Sequence, residues 1–96
     1  MDQEKYAALL AALKCGSISG AARQLGYTAS GMSRIIQSLE EECGFHLLKR
    51  GRDGITPTKE CEKILPEIKN FVRSGQLLAQ KTASINGVEE DRKSVV

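Results

Sequence analysis

The chain has 96 residues, enough for one small domain, with 41% hydrophobic and 27% charged residues, as in a globular protein. No apolar run approaches the roughly 18 residues of a membrane span, and the start, MDQEKYAALL, lacks the pattern of a secretion signal, so no membrane partner is expected. The net charge of +2 is too small to indicate a nucleic-acid partner by itself.

Two helices are predicted at the start of the chain, over residues 2–15 and about 19–25. The apolar residues of the first recur at the spacing of one buried helix face: Tyr6, Leu9, Leu10 and Leu13. Ser19 is the expected N-cap of the second helix, with Ile18 before it as a hydrophobic staple.

A very short turn leads from the second helix into a third. Gly26 is expected to end the second helix, Thr28 to cap a helix over 29–43, and Gly44 to end that helix in a left-handed conformation. Two helices joined by so short a turn must cross steeply. The pattern therefore predicts a helix-turn-helix at about residues 17–37.

The third helix has two opposed faces. Its apolar face predicts the side that packs on the core: Met32, Ile36, Leu39 and Cys43. The opposite face carries short hydroxyls, one guanidinium and one amide: Ser30, Ser33, Arg34 and Gln37. Serines on a helix are ordinarily solvated surface, but these serines and Gly31 lower helix propensity, and a helix kept only for stability would carry Glu, Lys or Ala there.

Binding in the DNA major groove would explain why that face carries these polar residues. A helix that enters a groove about 12 Å wide needs small residues near its N-terminus, where hydroxyls and free N–H groups can bind phosphate. Arg34 can form a forked pair with a guanine edge, and Gln37 with an adenine edge. Glu40, Glu41 and Glu42 follow at the far end, where we expect a solvated helix end.

Residues 45–57 change period and predict a small two-stranded wing. HLLKR and GIT are short extended segments, and Asp53-Gly54 between them is a hairpin signal. Arg50 and Arg52 near the tip could lie against the DNA backbone or reach into the minor groove. An ordinary polar hairpin is the alternative.

A long final helix is predicted over residues 59–86, with Thr58 as its N-cap. Apolar and small residues step along it by four and three and form a dimerisation seam of about three heptads: Ile64, Ile68, Phe71, Gly75, Leu78, Thr82 and Ile85. Pro66 should kink this helix or mark a break in its first turns. The mixed sequence of 87–96 predicts a hinge or a frayed tail.

No residues with the spacing of a catalytic or metal site stand out. His46, the single histidine, is expected in an exposed loop, with no carboxylate or cysteine at ligand spacing. Cys15, Cys43 and Cys61 lie far apart, and the last two fall on apolar stripes as small core residues. We therefore expect no enzyme, no cofactor and no metal, and reduced cysteines in a cytoplasmic protein.

The stretch GSISGAARQLGYTASGMSRIIQSLEEECGFHLLKR resembles the N-terminal DNA-binding domain of LysR-type transcriptional regulators. The matching positions are Ser17, Ile18, Ala21, Ala22, Leu25, Met32, Ser33, Arg34, Ile36, Leu39, Glu40, Gly44, Leu47, Arg50 and Thr58. The resemblance covers about residues 4–86. It implies an all-α dominated fold, a winged helix-turn-helix with a small two-stranded wing and a long C-terminal dimerisation helix.

The resemblance also implies which residues meet DNA: Thr28, Ala29, Ser30, Ser33, Arg34, Gln37, Arg50 and Arg52. Four positions depart from the family pattern, so a particular base preference does not carry over: Ala29 for a frequent glutamine, Gly31 for a common alanine, Ile35 for a common polar residue, and Cys61 for the usual glycine. Family members are much longer and bind a small-molecule inducer through a C-terminal domain. That difference implies a fragment, or a naturally short regulator, without the effector domain.

The expected organisation is a DNA-binding domain over 1–58, a linker and dimerisation helix over 59–86, and a hinge or tail over 87–96. The expected function is sequence-specific binding of double-stranded DNA in the bacterial nucleoid by a homodimer, with a tetramer as the alternative for a longer chain. The rival interpretation is a winged-helix module for protein interaction and dimerisation that does not bind DNA.

Overall fold

The computed structural model describes residues 2–86, so the predicted hinge or tail over 87–96 lies outside the described residues. The elements follow in the order α1 (Gln3–Cys15), α2 (Ile18–Leu25), α3 (Ala29–Cys43), β1 (Leu48–Gly51), β2 (Gly54–Pro57) and α4 (Lys59–Asn86). This order gives the predicted fold, a winged helix-turn-helix with a long C-terminal helix.

Side-chain caps set the starts of the helices, and one of them corrects the sequence analysis. Ser17, not Ser19, caps α2, because Ser17 is extended and its hydroxyl accepts the Gly20 N–H at 3.0 Å. Ile18 is therefore the first residue of α2 rather than a staple before its cap. Thr28 caps α3 as predicted, since its hydroxyl accepts the amide N–H of residue 31 at 3.0 Å.

The turn between α2 and α3 depends on Gly26. Its φ of 83° is left-handed, a conformation that glycine adopts without steric cost, and its N–H closes on the carbonyl of Ala22. The chain then reaches the Thr28 cap within two residues. This local geometry gives the short turn between α2 and α3 that the helix-turn-helix prediction required.

The core lies among α1, α3, the base of the wing and the first half of α4. Its larger cluster joins these elements through Tyr6, Leu9, Ile36, Leu39, Leu47, Cys61, Ile68 and Val72. A second cluster is rich in small residues, which let α1, α2 and α3 approach closely: Ala8, Ala12, Ala21, Ala22, Met32 and Ile55. The predicted core face of α3 is confirmed, because Met32, Ile36 and Leu39 are buried.

Burial makes two groups in this core, the Tyr6 hydroxyl and the Cys61 thiol, harder to ionise. The hydroxyl of Tyr6 lies 3.4 Å from the thiol of Cys43, and burial raises the pKa of Tyr6 well above its ordinary value. Burial also raises the pKa of the Cys61 thiol, which is fully enclosed. Cys61 is therefore the small core residue that its apolar stripe predicted.

The wing is an antiparallel pair in which Gly51 lies opposite Gly54, and Arg52 and Asp53 form the loop. Neither loop residue has a positive φ. The residue with a positive φ in this hairpin is Gly54, at 111°. β1 begins at Leu48, two residues later than the predicted HLLKR segment. The hairpin therefore forms where the Asp-Gly signal predicted it, with a shorter first strand.

The long helix α4 continues through Pro66, so the break that was one of the two predicted effects of this proline does not occur. Its first half is anchored on the core by Cys61, Ile68 and Val72, whereas residues 76–82 are all exposed. Among residues 2–86, no helix is long and apolar enough to cross a membrane.

Candidate nucleic-acid interface

The polar face of α3 points to solvent. Ser30, Arg34 and Gln37 are exposed, Ser33 is half-buried, and the opposite face is fixed in the core. Within the part of the chain that the structure describes, the guanidinium of Arg34 has no hydrogen-bond or ion-pair partner. This side of the helix is therefore available to a ligand in a single chain.

The first turn of α3 is exposed and carries only small side chains. Thr28 and Ala29 are exposed, and the Thr28 hydroxyl caps the helix while lying 3.4 Å from the Ser30 hydroxyl. A side chain at Gly31 would place its Cβ 3.0 Å from the Thr28 hydroxyl, which is a tight contact with the cap. Gly31, where the family pattern commonly has alanine, therefore avoids a tight contact with the capping hydroxyl of Thr28. The backbone N–H groups of a first helical turn have no intrahelical acceptor and can bind an anion.

The arginines of the wing are also exposed. Arg50 lies in β1 opposite Ile55, and Arg52 lies in the loop. Ile55 is buried and fixes the hairpin against the body, whereas the side chains of Arg50 and Arg52 remain exposed. As with Arg34, neither arginine has a polar partner among the described residues.

Glu40 fastens the wing to the recognition helix α3, which corrects its interpretation as part of a solvated helix end. Its carboxylate accepts the N–H of Leu47 at 2.7 Å and of Leu48 at 3.3 Å, and its side chain is only 19% exposed. His46 is exposed as predicted, but its Nδ1 lies 3.4 Å from the same carboxylate, a neighbour that the spacing in sequence did not indicate.

Two further contacts hold the wing. The N–H of Ile55 donates to the carbonyl oxygen of Gly16 at 3.1 Å, which ties β2 to the end of α1. The hydroxyl of Thr58 donates to the carbonyl oxygen of His46 at 2.6 Å and accepts the N–H of Cys61 at 3.1 Å. Thr58 therefore caps α4, as predicted, and also closes the base of the hairpin.

A groove of about 690 Å³ separates the recognition helix from the wing. Ser33, Gln37 and Arg50 line it, so the structure brings together two predicted DNA contacts from α3 and one from the wing. Glu40, Glu41 and His46 also line it. The lining therefore combines the guanidinium of Arg50 with the carboxylates of Glu40 and Glu41.

The predicted dimerisation residues divide into two groups. Ile68 is buried and Ile64 half-buried, and both pack on the core of their own chain. The second group is exposed: Phe71 at 39%, Leu78 at 68% and Ile85 at 85%, with Thr82 also exposed and its hydroxyl bonded to the Leu78 carbonyl oxygen. Gly75 is half-buried under the side chain of Gln3.

Metal-ligating groups do not cluster in this part of the molecule. Within residues 2–86, no three His, Cys, Asp or Glu side chains come together in a way that could hold a metal ion. The exposed groups of α3 and the wing described above are hydroxyl, amide, guanidinium and backbone N–H groups. These are the groups that contact phosphates and base edges in DNA.

Residues 4–62 match the family described as bacterial regulatory helix-turn-helix protein, lysR family. The chain belongs to the LysR family. It is a helix-turn-helix DNA-binding domain of that family, and the matched segment runs from α1 into the first turn of α4.

Two similar proteins have names that describe regulators. A probable HTH-type transcriptional regulator LrrA of Synechococcus elongatus is 46% identical over 57 residues, 59% of this chain and 19% of that protein. The small neutral protease regulatory protein of Streptomyces coelicolor is 32% identical over 74 residues, 77% of this chain and 23% of its own length. The chain thus spans about a fifth of the length of these relatives.

Solved structures support the fold at higher coverage. The DNA-binding domain of BenM in complex with benA site 1 DNA has a TM-score of 0.77 and 28% identity, covering 88% of this chain and 96% of that one. VV2_1132, a LysR family transcriptional regulator, has a TM-score of 0.81 and 27% identity, covering 90% of this chain and 30% of its own.

Proposed function

We propose that this LysR-family domain recognises specific sequences in double-stranded DNA, with α3 in the major groove and the wing against the backbone or the minor groove. The observation that carries the proposal is the exposed face of α3, where Ser30, Arg34 and Gln37 project together from a helix whose other side is buried. The BenM domain of similar fold, which was solved in complex with DNA, supports DNA binding by this domain.

Each group on this face has a chemical role in the proposed complex. The open N–H groups and the Ser30 hydroxyl at the start of α3 bind a phosphate and set the depth of the helix. Arg34 donates two parallel hydrogen bonds to a guanine edge, and Gln37 pairs with an adenine edge. Ser33, half-buried at the groove, and Ala29 are close to the DNA surface without long side chains that would hold the helix away.

The wing adds charge more than sequence information. Arg50 borders the groove beside α3, and Arg52 is at the tip of the hairpin, so the two can meet phosphates on either side of the minor groove. Phosphate contacts fix register and orientation but do not distinguish sequences directly. Base preference therefore resides mainly in α3.

We also propose that two chains pair through the second half of α4. Phe71, Leu78 and Ile85 are exposed at intervals of seven residues, which suits a coiled-coil partner of the same sequence. Such a pair presents two recognition helices to a roughly palindromic site. Leu78→Asp should convert the dimer to a monomer in light-scattering mass measurements, whereas Gln80→Asp, at another exposed position of α4, should leave it dimeric.

The decisive experiment is selection of bound duplexes from a random pool, followed by fluorescence anisotropy on the selected site. Arg34→Ala should weaken binding to that site by about 1–3 kcal/mol, and Arg73→Ala, an exposed arginine of α4, should not. Log affinity should fall linearly with log salt, by a slope of about 0.9 for each phosphate neutralised.

The same experiment addresses the rival function. A pool without enrichment and a flat salt response would contradict DNA binding and favour the protein-interaction module. Enrichment of a site whose affinity does not depend on Arg34 would keep DNA binding but remove that residue from the base contacts. The relatives are several times longer than this chain, so we propose that inducer binding belongs to a C-terminal domain of a longer regulator acting on the bacterial nucleoid in the cytoplasm.

A further inference from the structure

One contact joins the start of the chain to the middle of α4. The side-chain amide of Gln3 donates from Nε2 to the carbonyl oxygen of Val72 at 3.0 Å, across 69 positions in sequence. Three residues further along α1, the ring of Tyr6 meets the ring of Phe71 edge to face, with centroids 5.9 Å apart. One face of α1 therefore contacts one face of α4 through residues on two successive turns of α1.

Gly75 makes the Gln3 contact possible. A Cβ atom at this position would overlap the amide group of Gln3, so the absence of a side chain lets that amide lie on the surface of α4. Glycine lowers helix propensity in the interior of a helix, and its local environment here shows what it accommodates. The sequence analysis placed Gly75 in the predicted dimerisation seam. The contact with Gln3 is within one chain, so it gives this glycine a second role that the seam does not explain.

The contact lies at the boundary between the anchored and the free part of α4. Val72 is 5% exposed, Gly75 is half-buried, and every residue from 76 to 82 is exposed. We call residues 2–58 the head and residues 76–86 the rod. Gln3 contacts α4 next to the start of the exposed rod, so a small rotation of α4 at this contact is amplified along the rod.

We propose that Gln3 and Gly75 are positioning residues that fix the angle between head and rod and thereby set the spacing of the two DNA half-sites that a dimer accepts. The proposal rests on the proposed function, since it assumes that two heads joined by their rods bind one duplex. The half-site spacing follows from geometry in such dimers. A freer rod lets the heads reach several spacings, whereas a fixed rod favours one.

The test compares Gln3→Ala, Gly75→Ala and the double variant on palindromic duplexes with the selected spacing and with insertions of one or two base pairs. Gln3→Ala removes the amide, and Gly75→Ala displaces it, since the group that must yield is the flexible end of a side chain. Each should lower the preference for the selected spacing about two- to tenfold, the worth of one hydrogen bond. The double variant should lose no more than either single one, because both remove the same contact.

Controls separate positioning from general loss of stability. Gln80→Ala, an exposed glutamine of the rod, should keep the spacing preference of the original chain. Affinity for a duplex with a single half-site should stay unchanged in all variants. Thermal unfolding should confirm that each variant folds. A spacing preference within twofold of the original in both Gln3→Ala and Gly75→Ala would overturn the proposal.

A measurement without DNA makes the test independent of the proposed function. Spin labels at the exposed positions Ser19 and Gln80, in a background with Cys15 and Cys43 replaced by serine, report the angle between head and rod. With labelled chains diluted into unlabelled ones, Gln3→Ala should broaden the distance distribution within one chain. An unchanged distribution would overturn the positioning role even where DNA binding holds, and broadening without any DNA binding would contradict the proposed function alone.

Discussion

The recognition helix and the wing present similar polar groups to solvent but are held in place by different forces. The core-facing side of α3 is buried through Met32, Ile36 and Leu39, with caps at both helix ends. The wing packs on the core only at its base, through Leu47, Leu48 and Ile55, and hydrogen bonds to Glu40, Gly16 and Thr58 hold it further.

This difference suits the two proposed tasks. Base edges must be met within a fraction of an ångström, and a helix fixed by apolar packing on one full face has that rigidity. Phosphate contacts tolerate more variation, because an arginine side chain is long and its attraction to phosphate acts over a distance. A hairpin that packs on the core only at its base is therefore adequate for Arg50 and Arg52 but would be a poorer support for base readout than α3.

The largest effect on the free energy of unfolding should come from replacing Gly54, whose positive φ the wing requires. Gly54→Ala places a Cβ against the carbonyl oxygen of Gly16 and forces alanine to φ 111°. We expect a loss of about 2–3 kcal/mol in the free energy of unfolding, measured by urea denaturation. Gly51→Ala, whose Cβ would meet only ordinary contact at 3.8 Å, should change it little. Equal losses in both would mean that the wing is not fixed through Gly16.

The next effect concerns the bond between wing and recognition helix. Glu40→Ala leaves the N–H groups of Leu47 and Leu48 without their carboxylate acceptor. We expect about 2 kcal/mol of destabilisation, together with faster hydrogen exchange at these two amides, and no such change in the exposed Glu41→Ala. If exchange at Leu47 and Leu48 stayed slow, the wing would have another anchor.

A smaller effect should separate base readout from charge. Gln37→Ala should cost about 1–2 kcal/mol on the selected site and relax the base preference at one position, because its amide no longer pairs with an adenine edge. Binding to unrelated duplexes should stay the same. Titrations of the selected site and of its single-base variants would measure both. A uniform loss on all sequences would assign Gln37 to the backbone instead.

The smallest effect belongs to the tip of the wing. Arg52→Ala should weaken binding by less than about 1 kcal/mol, equally for specific and unrelated duplexes, and reduce the salt slope by about 1. Anisotropy at several salt concentrations would measure it. A loss confined to the selected site would mean that the wing reads sequence, contrary to the contrast between the two regions.

Local signals in the sequence predicted most of α3, because its cap at Thr28, its stop at Gly44 and its two faces depend on residues within a few positions. The start of α2 was wrong, since Ser17 and Ser19 can both cap a helix and only the backbone at Ser17 decides between them. Local sequence therefore predicts a helix better than it predicts which of two equivalent caps the helix uses.

Contacts between distant positions could not be predicted in this way. Glu40 receives N–H groups seven and eight positions away, around the end of a helix, and its neighbours Glu41 and Glu42 look the same in sequence. Gly75 fitted the dimerisation seam by spacing, but its contact with Gln3 depends on how α1 and α4 pack. The exposure of the polar face of α3 needed no such information, because it follows from the opposite face being apolar.

The hydroxyl of Thr58 gives the wing and α4 a common mechanical joint. One oxygen atom holds the carbonyl of His46 at the foot of the hairpin and the N–H of Cys61 in the first helical turn. A torque that tilts the start of α4 must therefore either move the foot of the hairpin with it or break one of these two bonds. Valine at this position would keep the shape and remove both hydroxyl bonds, leaving the backbone bond from the N–H of residue 58 to the Leu47 carbonyl oxygen as the remaining link.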